Sequence, residues 1–173
     1  MTDRDRAVLR ARQAQLEQAY RDDPQAALTQ VSARATFADP GITTTVDGWA
    51  GPVRAGLHLA TGGDGSDACS ADMLLQALLG CAGVTLRSVA TAMRLELRRV
   101  ELTATAVFDA RGTLGLDREA PVGLRQIEVV ASVATDAPEA SLVRLAELTD
   151  RYCVVGQTLD PRPRTRVVRI PLG

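Results

Sequence analysis

Ser70-Ala-Asp-Met-Leu-Leu-Gln-Ala-Leu-Leu-Gly-Cys-Ala-Gly-Val-Thr-Leu-Arg-Ser-Val-Ala-Thr-Ala-Met93 decides how the rest of the chain is read. Wound at 3.6 residues per turn, it carries small or apolar residues on nearly every side, the pattern of a helix buried all round. Ser70 reads as its N-cap, and Asp72 as an acid placed favourably against the helix dipole. A helix of this kind needs layers to cover it, and strand-like sequence stands on both sides.

Upstream, residues 29–37 and 42–47 read as strands around the turn Ala38-Asp-Pro-Gly41, and Asp47-Gly48 marks a further turn. A third strand over about 52–60 places Val53, Ala55, Leu57 and Leu59 on one face and Arg54, Gly56 and His58 on the other. The loop Thr61-Gly-Gly-Asp-Gly-Ser-Asp67 lacks the Gly-Lys-Ser/Thr ending of a phosphate-binding loop. Downstream, residues 99–109 and 124–135 read as strands joined by a Gly- and Pro-containing connection at 112–123. Asp136-Ala-Pro-Glu139 opens a second helix with Leu142, Leu145, Ala146, Leu148, Tyr152 and Cys153 at helical spacing, and residues 164–170 alternate as a last strand. Residues 3–21, with Ala7, Leu9, Ala11, Ala14, Leu16, Ala19 and Tyr20 set among charges, form a weakly amphipathic helix. The expected organisation is an accessory N-terminal helix over 1–26 and an α+β domain over 27–173, with antiparallel sheets wrapped around the long central helix.

Composition narrows the functions. Twenty basic against twenty-one acidic residues leave a net charge of −1, so there is no global field for nucleic acid or an anionic membrane, and neither is expected as a partner. Every basic residue is arginine, which restricts any cation at a site to arginine or to His58. No unbroken apolar run approaches the ~18 residues of a membrane span, and the charged start Met1-Thr-Asp-Arg-Asp-Arg is unlike a signal peptide. A cytoplasmic location is the expectation. Cys69, Cys81 and Cys153 are too few for a disulfide framework, and with one histidine they show none of the short paired spacings of a zinc site. No metal or cofactor is expected.

Cys81 and Cys153 each stand in an apolar helical stretch, where a thiol is either a core residue or half of a redox pair. Cys69 and Cys81 are twelve residues apart, roughly 18 Å along a helix, whereas a disulfide needs Cα atoms within about 7 Å. Cys153 is therefore the intramolecular candidate to meet Cys81.

Ser70-Ala-Asp-Met-Leu-Leu-Gln-Ala-Leu-Leu-Gly-Cys81 resembles the first-cysteine segment of the OsmC/Ohr family. Leu148-Thr-Asp-Arg-Tyr-Cys-Val-Val-Gly-Gln-Thr-Leu159 resembles its second-cysteine segment, and the order of elements over about 28–170 is similar. The resemblance implies a thiol peroxidase that reduces organic or inorganic hydroperoxides as an intertwined homodimer, with Cys81 attacking peroxide, Cys153 resolving, and a dithiol, such as a lipoyl group, as reductant. In the family an arginine oriented by a carboxylate ahead of the helix activates the first thiol. Asp72 matches the carboxylate, shortened by one methylene from glutamate. The arginine has no counterpart in Ala38-Asp-Pro-Gly41 or in residues 59–66, which leaves Arg54, before Arg34, as the candidate, with His58 as an alternative. Three functions remain open: the peroxidase, an OsmC-like redox-sensing or small-molecule-binding protein, and an interaction domain built around the N-terminal helix.

Overall fold

The computed structural model describes residues 3–171, in two compact units that divide the sequence between Arg34 and Ala35. The first unit holds α1 (Asp3–Asp22) and a 3-10 turn at Pro24–Ala27. Arg21 donates to Glu17 at 3.0 Å and Gln18 to Asp22 at 2.9 Å, i,i+4 pairs that support a helix made largely of charged and polar residues. Pro24 halts α1 because its ring nitrogen has no proton, and the Asp23 carboxylate accepts from the Gln25 N–H at 3.0 Å to start the next turn.

In the second unit, β1 (Ala35–Thr36), β2 (Thr44–Gly48), β3 (Gly51–Gly56) and β4 (Ala68–Cys69) form one sheet in that order. The strand expected over 29–37 contracts to β1, which pairs Ala35 with Val46 and Thr36 with Thr45; no strand among the described residues pairs with the residues before it. The β2–β3 turn falls at Trp49-Ala50, just after the expected Asp47-Gly48, and a Cβ at Gly48 would stand 2.6 Å from the Gly51 carbonyl oxygen. β3 stops at Gly56, short of the expected residue 60, because His58 leaves the strand to cap a 3-10 turn at Leu59–Thr61, its Nδ1 accepting from the Ala60 N–H at 3.0 Å. Arg54 and His58 consequently do not share a strand face.

β4 runs straight into α2 (Ser70–Ala92). Cys69, not Ser70, is the N-cap and gives no side-chain capping bond; Ser70 already has helical geometry and Asp72 lies in the first turn. The other sheet contains β5 (Arg99–Val107), β6 (Arg125–Ala134) and β7 (Arg164–Ile170), with α3 (Ala110–Thr113) in the β5–β6 connection and α4 (Glu139–Tyr152) and α5 (Val154–Thr158) before β7. Each sheet is antiparallel apart from one parallel pair, β3 with β4 and β6 with β7.

Leu78, Ala82, Leu86 and Ala90 recur every four residues along α2 and form its buried stripe. They pack against Val129 and Ala131 of β6, Leu145 of α4, and Cys153. Full burial of each such leucine contributes about 2–3 kcal/mol. The stripe covers one side of the helix: Leu74 and Val84 on the other sides are exposed, Val84 by 73%. The expectation of burial all round is not met within one chain. α2 is long and apolar enough to cross a membrane by length and composition, contrary to the count of unbroken runs, yet here it packs on β5, α4 and α5.

Candidate active site at a broken helix

Cys81 lies midway along α2, half-buried in a cluster with Leu78, Ala82, Val129, Val155 and Leu159. Cys153 belongs to the same cluster and is 3% exposed. It sits outside both helices, in the single-residue break between α4 and α5, with an extended backbone at φ −73° and ψ 101°. The apolar spacing that reads as one helix through Cys153 is interrupted here by specific anchors. The Asp150 carbonyl accepts from the Gln157 side-chain amide at 2.7 Å, and the Asp150 carboxylate accepts from the Thr165 N–H at the start of β7 at 2.8 Å. The Cys153 sulfur then becomes the N-cap of α5, accepting the Gly156 N–H at 3.4 Å. A Cβ on residue 156 would make a tight approach of 3.3 Å to the Cys153 sulfur and an ordinary contact of 3.7 Å with a Leu78 methyl.

The break brings Cys153, Val154 and Val155 to Cys81, and Thr85 of α2 itself adds to them. Burial pushes its thiol up, but the polar groups near it, the Val155 N–H, the Cys153 thiol, the Val154 N–H and the Thr85 hydroxyl, outweigh burial and hold it below the ordinary thiol value. Burial pushes Cys153 up; the Gly156 N–H opposes this, while Cys81 and the Asp150 charge add to it, so Cys153 lies above the ordinary value. The two thiols share one apolar cluster and are shifted in opposite directions, Cys81 down and Cys153 up.

The other sequence candidates are elsewhere in the chain. The Arg54 guanidinium is paired with the Asp67 carboxylate, with Asp39 and Asp64 adding to the negative field around it, and it is not brought to Cys81. Asp72 stands exposed nine residues before Cys81, roughly 14 Å along the helix axis. His58 meets Phe108 edge to face at 5.2 Å. Cys69 is a free, half-buried thiol at the start of α2. No group of three His, Cys, Asp or Glu among the described residues could hold a metal ion. An open cleft walled by Leu142, Ala146, Arg164 and Val167 contains neither Cys81 nor Cys153.

Thr85, Val154 and Val155 act on the Cys81 thiol and Gly156 on the Cys153 sulfur, and the sequence reading gave none of them a role. Thr85 was within reach of it, since a residue four beyond Cys81 on a helix shares its face. The backbone donors were not, because they exist only where α4 is interrupted.

Residues 63–168 match the family model for OsmC-like protein. None of the curated proteins is similar enough in sequence to match. Among solved structures, an OsmC like protein from Mycoplasma pneumoniae is similar with a TM-score of 0.66 at 14% identity, covering 84% of this chain and 99% of its own. An organic hydroperoxide resistance protein from Elizabethkingia anophelis gives 0.64 at 14% identity, over 83% of this chain and 97% of that one. An organic hydroperoxide resistance protein OsmC from Legionella pneumophila gives 0.59 at 14%, over 83% and 98%. At these identities the structural likeness speaks for the fold.

Proposed function

The chain belongs to the family of OsmC-like proteins, and from that membership and its paired thiols we propose that it reduces hydroperoxides through a Cys81–Cys153 thiol/disulfide cycle. The observation that carries this reading is the packing of Cys81 and Cys153 in one apolar cluster at the α4–α5 break, one thiol lowered and the other raised from its ordinary value. The Cys81 thiolate attacks the distal oxygen of the peroxide; the S–O bond forms as the O–O bond breaks, and the leaving alkoxide takes a proton to depart as an alcohol. Cys81 is then a sulfenic acid, oxidised by two electrons. The Cys153 sulfur displaces its hydroxyl, giving a disulfide and water. A dithiol reductant restores both thiols by exchange and leaves as its own disulfide. The apolar wall of Leu75, Leu79, Leu102 and Ile127 around the pair suits a hydroperoxide with a hydrocarbon body. The working protein is proposed to be a homodimer, with no bound cofactor taking part in these steps.

The test is stopped-flow oxidation of the reduced protein with cumene hydroperoxide and with H₂O₂, read as loss of one Cys81–Cys153 thiol pair per peroxide. Failure of both oxidants to consume the thiols overturns the proposal. One observation favours a second reading, a thiol pair that senses oxidants or binds a small molecule with little turnover: the Arg54 guanidinium faces Asp67 instead of the sulfur. Slow single oxidation without sustained turnover in the presence of a dithiol would select it.

A further inference from the structure

A disulfide forms only between sulfurs held within reach of each other, so the groups that place Cys153 matter as much as the thiols themselves. Inside the corner between α4 and α5 the polar atoms of Cys153 are all engaged. Its N–H donates to the Thr149 carbonyl at 2.9 Å, its carbonyl accepts from the Gln157 N–H at 2.8 Å, and its sulfur accepts from the Gly156 N–H at 3.4 Å. These bonds are local. They fix Cys153 relative to the two helices it separates, and leave open where the corner lies against the sheet and α2.

Asp150 supplies that link. It stands half-buried in the last turn of α4, where a carboxylate faces the negative end of the helix dipole, so helix formation does not account for it. Its backbone carbonyl accepts from the Gln157 side-chain amide at 2.7 Å, across Cys153, and its carboxylate accepts from the Thr165 N–H at 2.8 Å. That N–H is available because β7 is an edge strand, bonded on one side to β6 with alternate donors turned outward. The strand position is also specific. Thr165 is the register partner of Val129, the buried β6 residue in the cluster of Leu78, Ala82 and Cys153 against which Cys81 packs. The carboxylate therefore ties the corner to the sheet at the level of the two thiols.

We propose that Asp150 is a positioning residue for the disulfide-forming step, holding the Cys153 sulfur within reach of Cys81 through its bonds to Thr165 and Gln157. This rests on the reading of Cys81 and Cys153 as a redox pair. Asp150 itself exchanges no proton or electron in the step.

The test equilibrates the full chain at neutral pH in mixtures of reduced and oxidised dithiothreitol, and counts the Cys81–Cys153 disulfide by alkylation and peptide mass spectrometry. The two thiols give two electrons and two protons to oxidised dithiothreitol, which becomes the dithiol as the protein disulfide forms. The equilibrium constant thus reports how well the fold presents one sulfur to the other. Asp150→Ala is expected to lower it about tenfold, the scale of one hydrogen bond to a charged group. Asp150→Asn keeps a side-chain oxygen for the Thr165 N–H and the carbonyl for Gln157, and is expected to stay within about threefold of wild type. Thr165→Pro deletes the same bond from the strand side, at an edge position that tolerates proline, and is expected to match Asp150→Ala; the double variant should lose no more than either one. An Asp150→Ala protein with a lower melting temperature and an unchanged constant overturns the proposal, as does Asp150→Asn falling with Asp150→Ala. Failure of both Asp150→Ala and Thr165→Pro to fold also overturns it, because the tie then serves the fold and not the thiols. Dithiothreitol keeps this measurement apart from peroxide chemistry. A lowered constant in Asp150→Ala, with no peroxide consumed by wild type, fails the peroxidase reading and leaves this assignment standing; peroxide turnover with a constant indifferent to Asp150 gives the reverse. A wild type that forms no Cys81–Cys153 disulfide in any mixture overturns both.

Discussion

Cys81 and Cys153 share one apolar cluster and are shifted in opposite directions: polar neighbours hold Cys81 below the ordinary thiol value, and burial holds Cys153 above it although its sulfur accepts the Gly156 N–H. The difference fits the proposed division of tasks. Cys81→Ser is expected to abolish peroxide consumption, because Cys81 is the thiol that makes the attack in the proposed cycle. Cys153→Ser is expected to support one stoichiometric oxidation and then accumulate sulfinic or sulfonic acid at Cys81, since the sulfenic acid has nothing to condense with. Titrating thiols against cumene hydroperoxide, with mass spectrometry of the residue 81 peptide, checks both; equal loss of the first turnover in the two variants would remove the division of roles. The pH dependence follows from the same neighbours. Cys81 lies below the ordinary thiol value, so in Cys153→Ser the rate of the first oxidation should rise with pH through that lowered value and level off before the ordinary thiol range. A rate that keeps climbing through the ordinary range would show that these neighbours do not act on the thiolate.

At the scale of elements, the proposed active site is made by an interruption. Ending α4 at Tyr152 and restarting at Val154 costs helical hydrogen bonds, and the Asp150 contacts to Gln157 and Thr165 offset that loss. Val154→Pro isolates what the interruption provides. Proline is well tolerated at the first position of a helix, and the extended Cys153 backbone already suits a residue before proline, so α5 should persist while one polar group near Cys81 disappears. The expected result is an upward shift of the pH midpoint of Cys81 alkylation by iodoacetamide, about half a pH unit, with an unchanged circular dichroism spectrum; no shift would mean that the Val154 N–H is a bystander. This element also marks where the sequence stops being readable. Ser70–Ala92, β5 and β6 were legible because long runs of one periodicity specify them, and helix rise set Cys69 aside as a partner for Cys81 and left Cys153 as the candidate. The break was hidden because Leu142, Leu145 and Tyr152 keep helical spacing up to the residue where a β7 amide, distant in sequence, captures Asp150. The early strands were overextended for a related reason: Thr- and Val-rich alternation is also compatible with the 3-10 turn that His58 caps, and local pattern does not reveal which partner strand is present.

For the molecule as a whole, the exposed apolar surface is the feature that one chain does not account for. α2 buries a four-residue stripe but leaves Val84 at 73% exposure and Leu74 at 37%, and in the first sheet's loops the chain's single tryptophan, Trp49, is fully exposed while Phe37 and Ile42 are nearly so. Aromatic side chains make up only 3% of the composition, so spending the tryptophan on solvent is a poor arrangement for a monomer. A second copy laid against α2 would cover a helix already rich in Gly80, Gly83 and alanine, residues small enough to permit close approach. The chain is therefore expected to be a dimer at micromolar concentration, burying more than the ~1,600 Å² of a standard interface. Sedimentation equilibrium is the direct measurement. Val84→Glu, which places a charge on the exposed side of α2, should shift the population toward monomer, whereas Leu86→Ala, on the buried stripe, should lower the melting temperature through a core loss of about 2–5 kcal/mol and leave the fully folded protein dimeric at low temperature. A wild-type monomer across the micromolar range would sink the expectation, and dissociation by Leu86→Ala without Val84→Glu having any effect would place the contact on some face other than α2.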